Sequence, residues 1–174
     1  MTQAFDLTIL MPCLNEAETL ATCIEKAKLG LQRAGVRGEI LVADNGSKDN
    51  SVQIAEQFGA RVVEVKKKGY GNALRGGIQA ASGKWILIGD ADDSYDFSEA
   101  DRFVEKFQEG FELVMGCRLP VGGGKILPGA MPWKNRWLGN PALSFIGRFF
   151  LNVPLTIFTA ACVGSPKTRL KKWI

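Results

Sequence analysis

Trp85-Ile86-Leu87-Ile88-Gly89-Asp90-Ala91-Asp92-Asp93-Ser94 is the stretch on which the reading of this chain turns. A short, unbroken apolar run suits a strand covered on both faces, as strands of parallel sheets are. The run breaks at a glycine into carboxylates, so acidic side chains leave the sheet at a strand's carboxyl end. Two carboxylates one residue apart can offer hard oxygen ligands to a divalent cation that keeps positions open for phosphate oxygens. The same residues also read as a solvated acidic turn ahead of a helix capped by Ser98.

Upstream, Leu7 to Met11 is an apolar run closed by Pro12 and reads as a first strand. Asn15 stands where a helix cap is expected, with Glu18 at the capping-box position, and Leu20, Ile24, Ala27 and Leu31 recur along one face until Gly35. Glu39 to Ala43 forms a second strand, Ser51 to Phe58 a helix ended by Gly59, and Arg61 to Val65 a third strand. Gly69 to Gly77 opens a helix before the fourth strand, Lys84 to Gly89. A helix follows to about Glu109, and Phe111 to Gly116 reads as a fifth strand. Strands alternating with helices imply right-handed crossovers and an α/β fold, Rossmann-like, with a mostly parallel sheet flanked by helices. Ligands of such sheets bind beyond the carboxyl ends of the strands, where the polar clusters of this chain lie.

Composition narrows the chemistry. The chain has 174 residues, 46% of them hydrophobic, which fits one compact domain. A net charge of +4 is too weak a signal to argue for nucleic acid and suits an anionic ligand or membrane surface. The four cysteines include no CxxC pair and histidine is absent, which argues against zinc and against a disulfide framework. A reducing cytoplasm is the expected compartment. Without histidine, carboxylates are left as the acid–base groups near neutral pH. The N-terminus lacks a signal-peptide pattern, and the apolar stretch Phe145 to Val163 is broken by Arg148 and Pro154, short of a membrane span.

Other clusters stand at strand ends too. In Asp44-Asn45-Gly46-Ser47-Lys48-Asp49 a carboxylate can accept from the N–H edge of a nucleobase, or the segment is an Asx turn with a helix cap. Pro12, Asn15 and Glu16 allow either a binding or a capping role. Gly69-Tyr70-Gly71 lacks the Lys-Ser/Thr ending of a phosphate loop and reads as a helix start whose amides approach a phosphate. Arg118 follows the fifth strand where a cation can grip a phosphate. Pro132-Trp133-Lys134-Asn135-Arg136-Trp137 mixes cations with indoles as membrane-interface segments do; Arg136 is favoured as an anion binder and Lys134 as ordinary surface charge.

Met11-Pro12 through Asn15-Glu16, Asp44-Asn45-Gly46-Ser47, Asp90-Ala91-Asp92 with Ser94-Tyr95-Asp96, Gly116-Cys117-Arg118 and Pro128-Gly129-Ala130-Met131-Pro132-Trp133 together resemble family 2 glycosyltransferases. Within that family they resemble the polyprenyl-phosphate sugar transferases, such as dolichol-phosphate mannose and glucose synthases. The resemblance implies an A-type glycosyltransferase (nucleotide-diphospho-sugar transferase) fold over residues 1–156. It implies an inverting transfer from a GDP- or UDP-linked sugar to a dolichyl or undecaprenyl phosphate at the cytoplasmic face of a membrane. Asp90 and Asp92 would hold Mg²⁺ or Mn²⁺, and Asp92 and Arg118 would be catalytic. Pro12, Asn15, Glu16, Asp44, Asp90, Arg118 and Arg136 would contact substrate. Since the acceptor is already an anionic phosphate, positioning and charge neutralisation can replace a strong base. A sugar nucleotidyltransferase is the rival enzyme class. It would carry a glycine-rich basic loop after the first strand, where this chain has Pro12-Cys13-Leu14-Asn15-Glu16.

The likeness stops near Thr156, where such proteins continue with an Asp-containing word, D-F-H-C-G-L-R. Back-translation of the tail with one added G after Thr156 recovers T-D-F-H-C-G-L-R-G-F-A-K-D-A-I-E-K-M-D. Residues 157–174 are therefore expected to be a frameshifted, non-native tail that packs poorly, without a helix or strand of its own. Two alternatives follow: an inactive, truncated nucleotide-sugar-binding remnant, or a family member with a different acceptor.

Overall fold

The computed structural model describes residues 5–117 and 160–170. The chain divides into two compact units, Met1–Val114 with Val163–Ile174, and Met115–Cys162. The second contributes only the end of one strand and the start of another to the described residues. Everything below concerns the first.

The elements of the described residues are β1 (Phe5–Cys13), α1 (Leu20–Ala34), β2 (Gly38–Asp44), α2 (Ser51–Gln57), β3 (Arg61–Glu64), α3 (Tyr70–Ala80), β4 (Gly83–Ile88), α4 (Ala100–Gln108), β5 (Val114–Cys117) and β6 (Ala160–Pro166), of which β5 and β6 straddle the boundary between the units. The sheet runs β3-β2-β1-β4-β6-β5. β1 pairs in parallel with both β2 and β4, and β2 in parallel with β3. β1 leads to β2 on one side, while β4 lies on the other. The loops leaving β1 and β4 thus diverge and open a crevice between them.

Side-chain alternation assigns the two faces. Leu10, Leu41, Ala43 and Ile86 cluster with Ile78 and Ala81 at the α3 side of the sheet. On the opposite face Trp85 stacks on Phe107 of α4, with ring centroids 5.5 Å apart. α1 adds Leu20, Cys23, Ile24, Ala27 and Gly30 as its buried stripe. Gly30 is needed there, because a Cβ would collide with the backbone oxygen of Phe97.

Two expectations are corrected. Asn15 does not cap α1: it adopts a left-handed conformation with φ 59°, and the helix begins five residues later. Its polar groups are committed to the loop after β2 instead, to Ser47 Oγ and the Lys48 amide. The tail is also not without structure, since β6 pairs antiparallel with β4 from Trp85↔Pro166 to Ile88↔Val163 and a helical turn, Lys167–Leu170, follows. Gly164 faces Leu87 in that ladder, and only a bare glycine leaves room for the Phe107 ring.

Candidate functional site

Among the described residues, a pocket of about 270 Å³ opens at the carboxyl ends of the strands. It is lined by Pro12, Cys13, Leu14 and Glu16 after β1, Asn45 after β2, Lys68, Gly69, Tyr70 and Ala73 at the start of α3, and Asp90, Ala91 and Asp92 after β4. Four of the expected residues, Pro12, Glu16, Asp90 and Asp92, thus share one cavity. Asp44 and Asn15 are not among its lining, and Arg118 and Arg136 lie outside the described residues.

Asp44 is 5% exposed and turns its carboxylate onto its own loop, accepting from the Gly46 amide at 2.9 Å and the Ser47 amide at 3.1 Å. This is the Asx turn that the loop's composition allows. Gly46 is required in it, at φ +89° and with the Lys68 ammonium where a Cβ would stand. The wall at this point is built by Asn45 instead. Its amide donates to the carbonyls of Val65 and Lys67, each at 2.9 Å, and its oxygen accepts from the Gly69 amide at 2.7 Å. Lys68, the sole cation among the described lining residues, donates to the Asn45 carbonyl at 2.6 Å.

The loops after β1 and β2 are stitched together. Asn15 N donates to Ser47 Oγ at 2.9 Å, Lys48 N to Asn15 Oδ1 at 2.7 Å, Glu16 N to Ser51 Oγ at 2.9 Å and Ala17 N to Asp49 Oδ2 at 3.0 Å. The Ser51 hydroxyl, bonded to Asp49 Oδ1, holds the Asp49 carboxyl below its usual range. These bonds tie the loop that carries Glu16, a lining residue of the pocket, to the loop after β2.

The acidic end is negative and only partly neutralised. Burial, then the charges of Asp92, Asp49 and Asp90, push the Glu16 carboxyl above its usual range, although the neighbouring Thr19 hydroxyl opposes the shift. Asp90 accepts from the Tyr70 hydroxyl at 2.8 Å, and burial together with that bond pushes the phenol upward, so Tyr70 stays a donor. Asp92 accepts from the Ser94 amide at 2.9 Å. Among the described residues no group of three or more His, Cys, Asp or Glu side chains forms a complete metal cage. A cation of the Mg²⁺ type needs no such cage, since one or two carboxylates suffice where phosphate oxygens and water fill the remaining positions. The donor set fits that arrangement, and the field that disfavours ionised Glu16 is one that a cation would relieve.

Sequence reasoning missed Asn45, Lys68 and Tyr70 as a wall. The available signal was Gly69-Tyr70 opening α3 directly after β3, which places that helix's first turn at the same sheet edge.

The family model for Glycosyl transferase family 2 matches residues 8–167. The low-salt glycan biosynthesis hexosyltransferase Agl6 of Haloferax volcanii is 40% identical over 148 residues, which are 84% of this chain and 34% of that protein. The dolichyl-phosphate hexose transferase of the same organism is 30% identical over 84% of this chain and 60% of its own length. Glucosyl-3-phosphoglycerate synthase of Mycobacterium tuberculosis, solved with Mn²⁺, UDP and glucosyl-3-phosphoglycerate, superposes with a TM-score of 0.68 at 20% identity, over 95% of this chain and 58% of that one. At that identity the likeness is one of fold. The chain spans about a third of Agl6 and about three fifths of the other two proteins.

Proposed function

Because the chain belongs to glycosyl transferase family 2, we propose that it is the donor-binding part of a hexosyltransferase that takes a GDP- or UDP-linked sugar as donor. Its acceptor is a polyprenyl phosphate, dolichyl or undecaprenyl, met at the cytoplasmic face of a membrane. The observation that carries the reading is the convergence of Asp90 and Asp92, leaving β4, with Pro12 and Glu16, leaving β1, in one pocket at the sheet's switch point. The acceptor class is supported by the printed name of the dolichyl-phosphate hexose transferase and by the motif resemblance.

In this reading Asp90 and Asp92 hold Mg²⁺ or Mn²⁺, which supplies charge neutralisation for the departing diphosphate. Pro12 and the Asn45–Lys68 wall confine the nucleoside, and Glu16 contacts it or its ribose. Asn15 and Asp44 act one step back, Asn15 by fixing the β1 loop to the β2 loop and Asp44 by shaping the turn that presents Asn45. Arg118 and Arg136 supply cations for the donor or acceptor phosphate. The incoming phosphate oxygen is already ionised, so the protein's task is to align it and exclude water.

Incubation of the 174-residue chain with Mn²⁺, radiolabelled GDP- or UDP-hexoses and polyprenyl phosphate tests this. Label in the lipid phase that disappears for Asp92→Asn is expected. Donor binding without transfer would replace the reading by its alternative, a nucleotide-sugar-binding remnant whose residues 157–174 are out of frame. Transfer to a different acceptor would leave the family and discard the lipid. The gene's sequence across Thr156 tests the frame directly.

A further inference from the structure

We infer that a stripe of α1 and its cap, Thr19, Cys23 and Lys26, is a positioning device that fixes the acidic loop after β4 in its cation-holding shape. The inference rests on the proposed role of Asp90 and Asp92 and deepens it.

The three residues are spaced four and three apart, so they fall on one face of the helix. All three reach the same short segment. Thr19 Oγ1 donates to the Ala91 carbonyl at 2.7 Å, Cys23 Sγ donates to the same oxygen at 3.4 Å, and Lys26 Nζ pairs with Asp93 Oδ1 at 2.7 Å. Ala91 is 1% exposed, and its peptide unit lies directly between the two carboxylates. Burial pushes the Cys23 thiol up to about 11, so it acts as a neutral S–H donor.

The segment needs holding. Asp92 and Asp93 are exposed like charges next to one another, and Asp93 sits at φ 59°, a left-handed conformation uncommon outside glycine, although aspartate is among the residues that tolerate it best. Such strain persists where the surroundings over-determine it. The Lys26 pair anchors the strained residue, and the two bonds to Ala91 fix the carbonyl whose rotation would swing Asp90 and Asp92 apart. Partners that hydrogen-bond metal ligands directly contribute ten- to a hundredfold in cation affinity, and Thr19, which holds the peptide between Asp90 and Asp92, is expected at the lower end of that range.

Mn²⁺ titration of the full chain in the presence of UDP or GDP, read by electron paramagnetic resonance, tests the device in Thr19→Val, Thr19→Ser and Lys26→Met. Thr19→Val should weaken Mn²⁺ binding roughly tenfold. Lys26→Met should weaken it by about two- to fivefold, the scale of a partly exposed ion pair. Thr19→Ser keeps the hydroxyl and should bind within about twofold of the parent, and nucleotide binding in EDTA should be unchanged in Thr19→Ser and Lys26→Met. Should Thr19→Val fail to fold, Lys26→Met, altered at a partly exposed position, carries the test alone. Parent-like Mn²⁺ affinity in folded Thr19→Val and Lys26→Met would overturn the inference, as would a loss in Thr19→Ser equal to that in Thr19→Val. If the parent chain binds no Mn²⁺, the cation reading of Asp90 and Asp92 fails, and the inference falls with it.

Discussion

Replacing Thr8 by valine removes one hydroxyl from the centre of the sheet and leaves shape and strand preference intact. Thr8 is fully buried, its hydroxyl donates to Glu39 Oε1 at 2.7 Å, and it accepts from the Gly83 amide at 2.9 Å. Glu39, itself 8% exposed, also accepts from the Ser82 amide at 2.5 Å and from Arg61 Nη2 at 2.9 Å. Valine leaves the buried Gly83 N–H without its acceptor, at a cost of about 1–3 kcal/mol, and takes a donor from a charged carboxylate. The sum is about 3 kcal/mol, a large share of the 5–15 kcal/mol that holds a typical domain, and lowers Tm by roughly 6–12 °C. Thr8→Ser keeps the hydroxyl and loses one methyl, worth about 1 kcal/mol. Urea and thermal unfolding should therefore rank Thr8→Ser above Thr8→Val. Apolar burial alone gives the opposite order, and finding it would refute the network argument. Thr8 lies four residues before Pro12, about 13 Å along the strand, so nucleotide binding by folded Thr8→Val should match the parent.

Glu16→Gln should stabilise the fold at neutral pH by less than about 1 kcal/mol, given its partial exposure. The raised carboxyl disfavours folding only where it is ionised, so the gain is full above the folded pKa and vanishes below the ordinary glutamate value near 4.3. Parallel thermal unfolding at pH 7 and pH 3.5 checks the sign, and Mn²⁺-dependent nucleotide binding should weaken in the same variant. Asp90→Asn should let Tyr70 ionise at lower pH, since the Asp90 bond and charge add to burial in holding the phenol up. With two tyrosines in the chain, phenolate absorbance during alkaline titration of Asp90→Asn against Tyr70→Phe resolves the shift. Gly77→Ala should destabilise by about 1–2 kcal/mol in chemical denaturation, because its Cβ meets the buried Leu10 side chain, and Ala43 at 3.2 Å, and overpacking outweighs the gain in helix propensity.

The strands at the middle of the sheet could be read from sequence because burial on both faces writes largely apolar runs, Trp85–Ile88 without a break and Leu7–Met11 broken only by Thr8. β6 could not, since Ala160-Ala161-Cys162-Val163-Gly164-Ser165-Pro166 carries no alternation and little β-branching. Its pairing is imposed by β4 and by the space that Gly164 leaves under Phe107. At the site, the carboxylates stood out because they leave the strongest strand. Asp44 and Asn15 are residue types that serve equally as ligand contacts and as turn formers, and only their partners, the Gly46 and Ser47 amides for Asp44 and the β2 loop for Asn15, decide between these. Local spacing puts Thr19, Cys23 and Lys26 on one face of α1 and Tyr70 at the start of α3, but that the first three meet the loop after β4 and the last meets Asp90 is decided by tertiary packing.

Calorimetric titration of UDP and GDP into the chain, with and without Mn²⁺, tests most directly whether the carboxylates leaving β4 hold a cation against a diphosphate. At least one nucleotide should bind about tenfold or more tightly with Mn²⁺, and Asp92→Asn should abolish that difference. Equal affinity with and without Mn²⁺ in the parent chain would contradict the account.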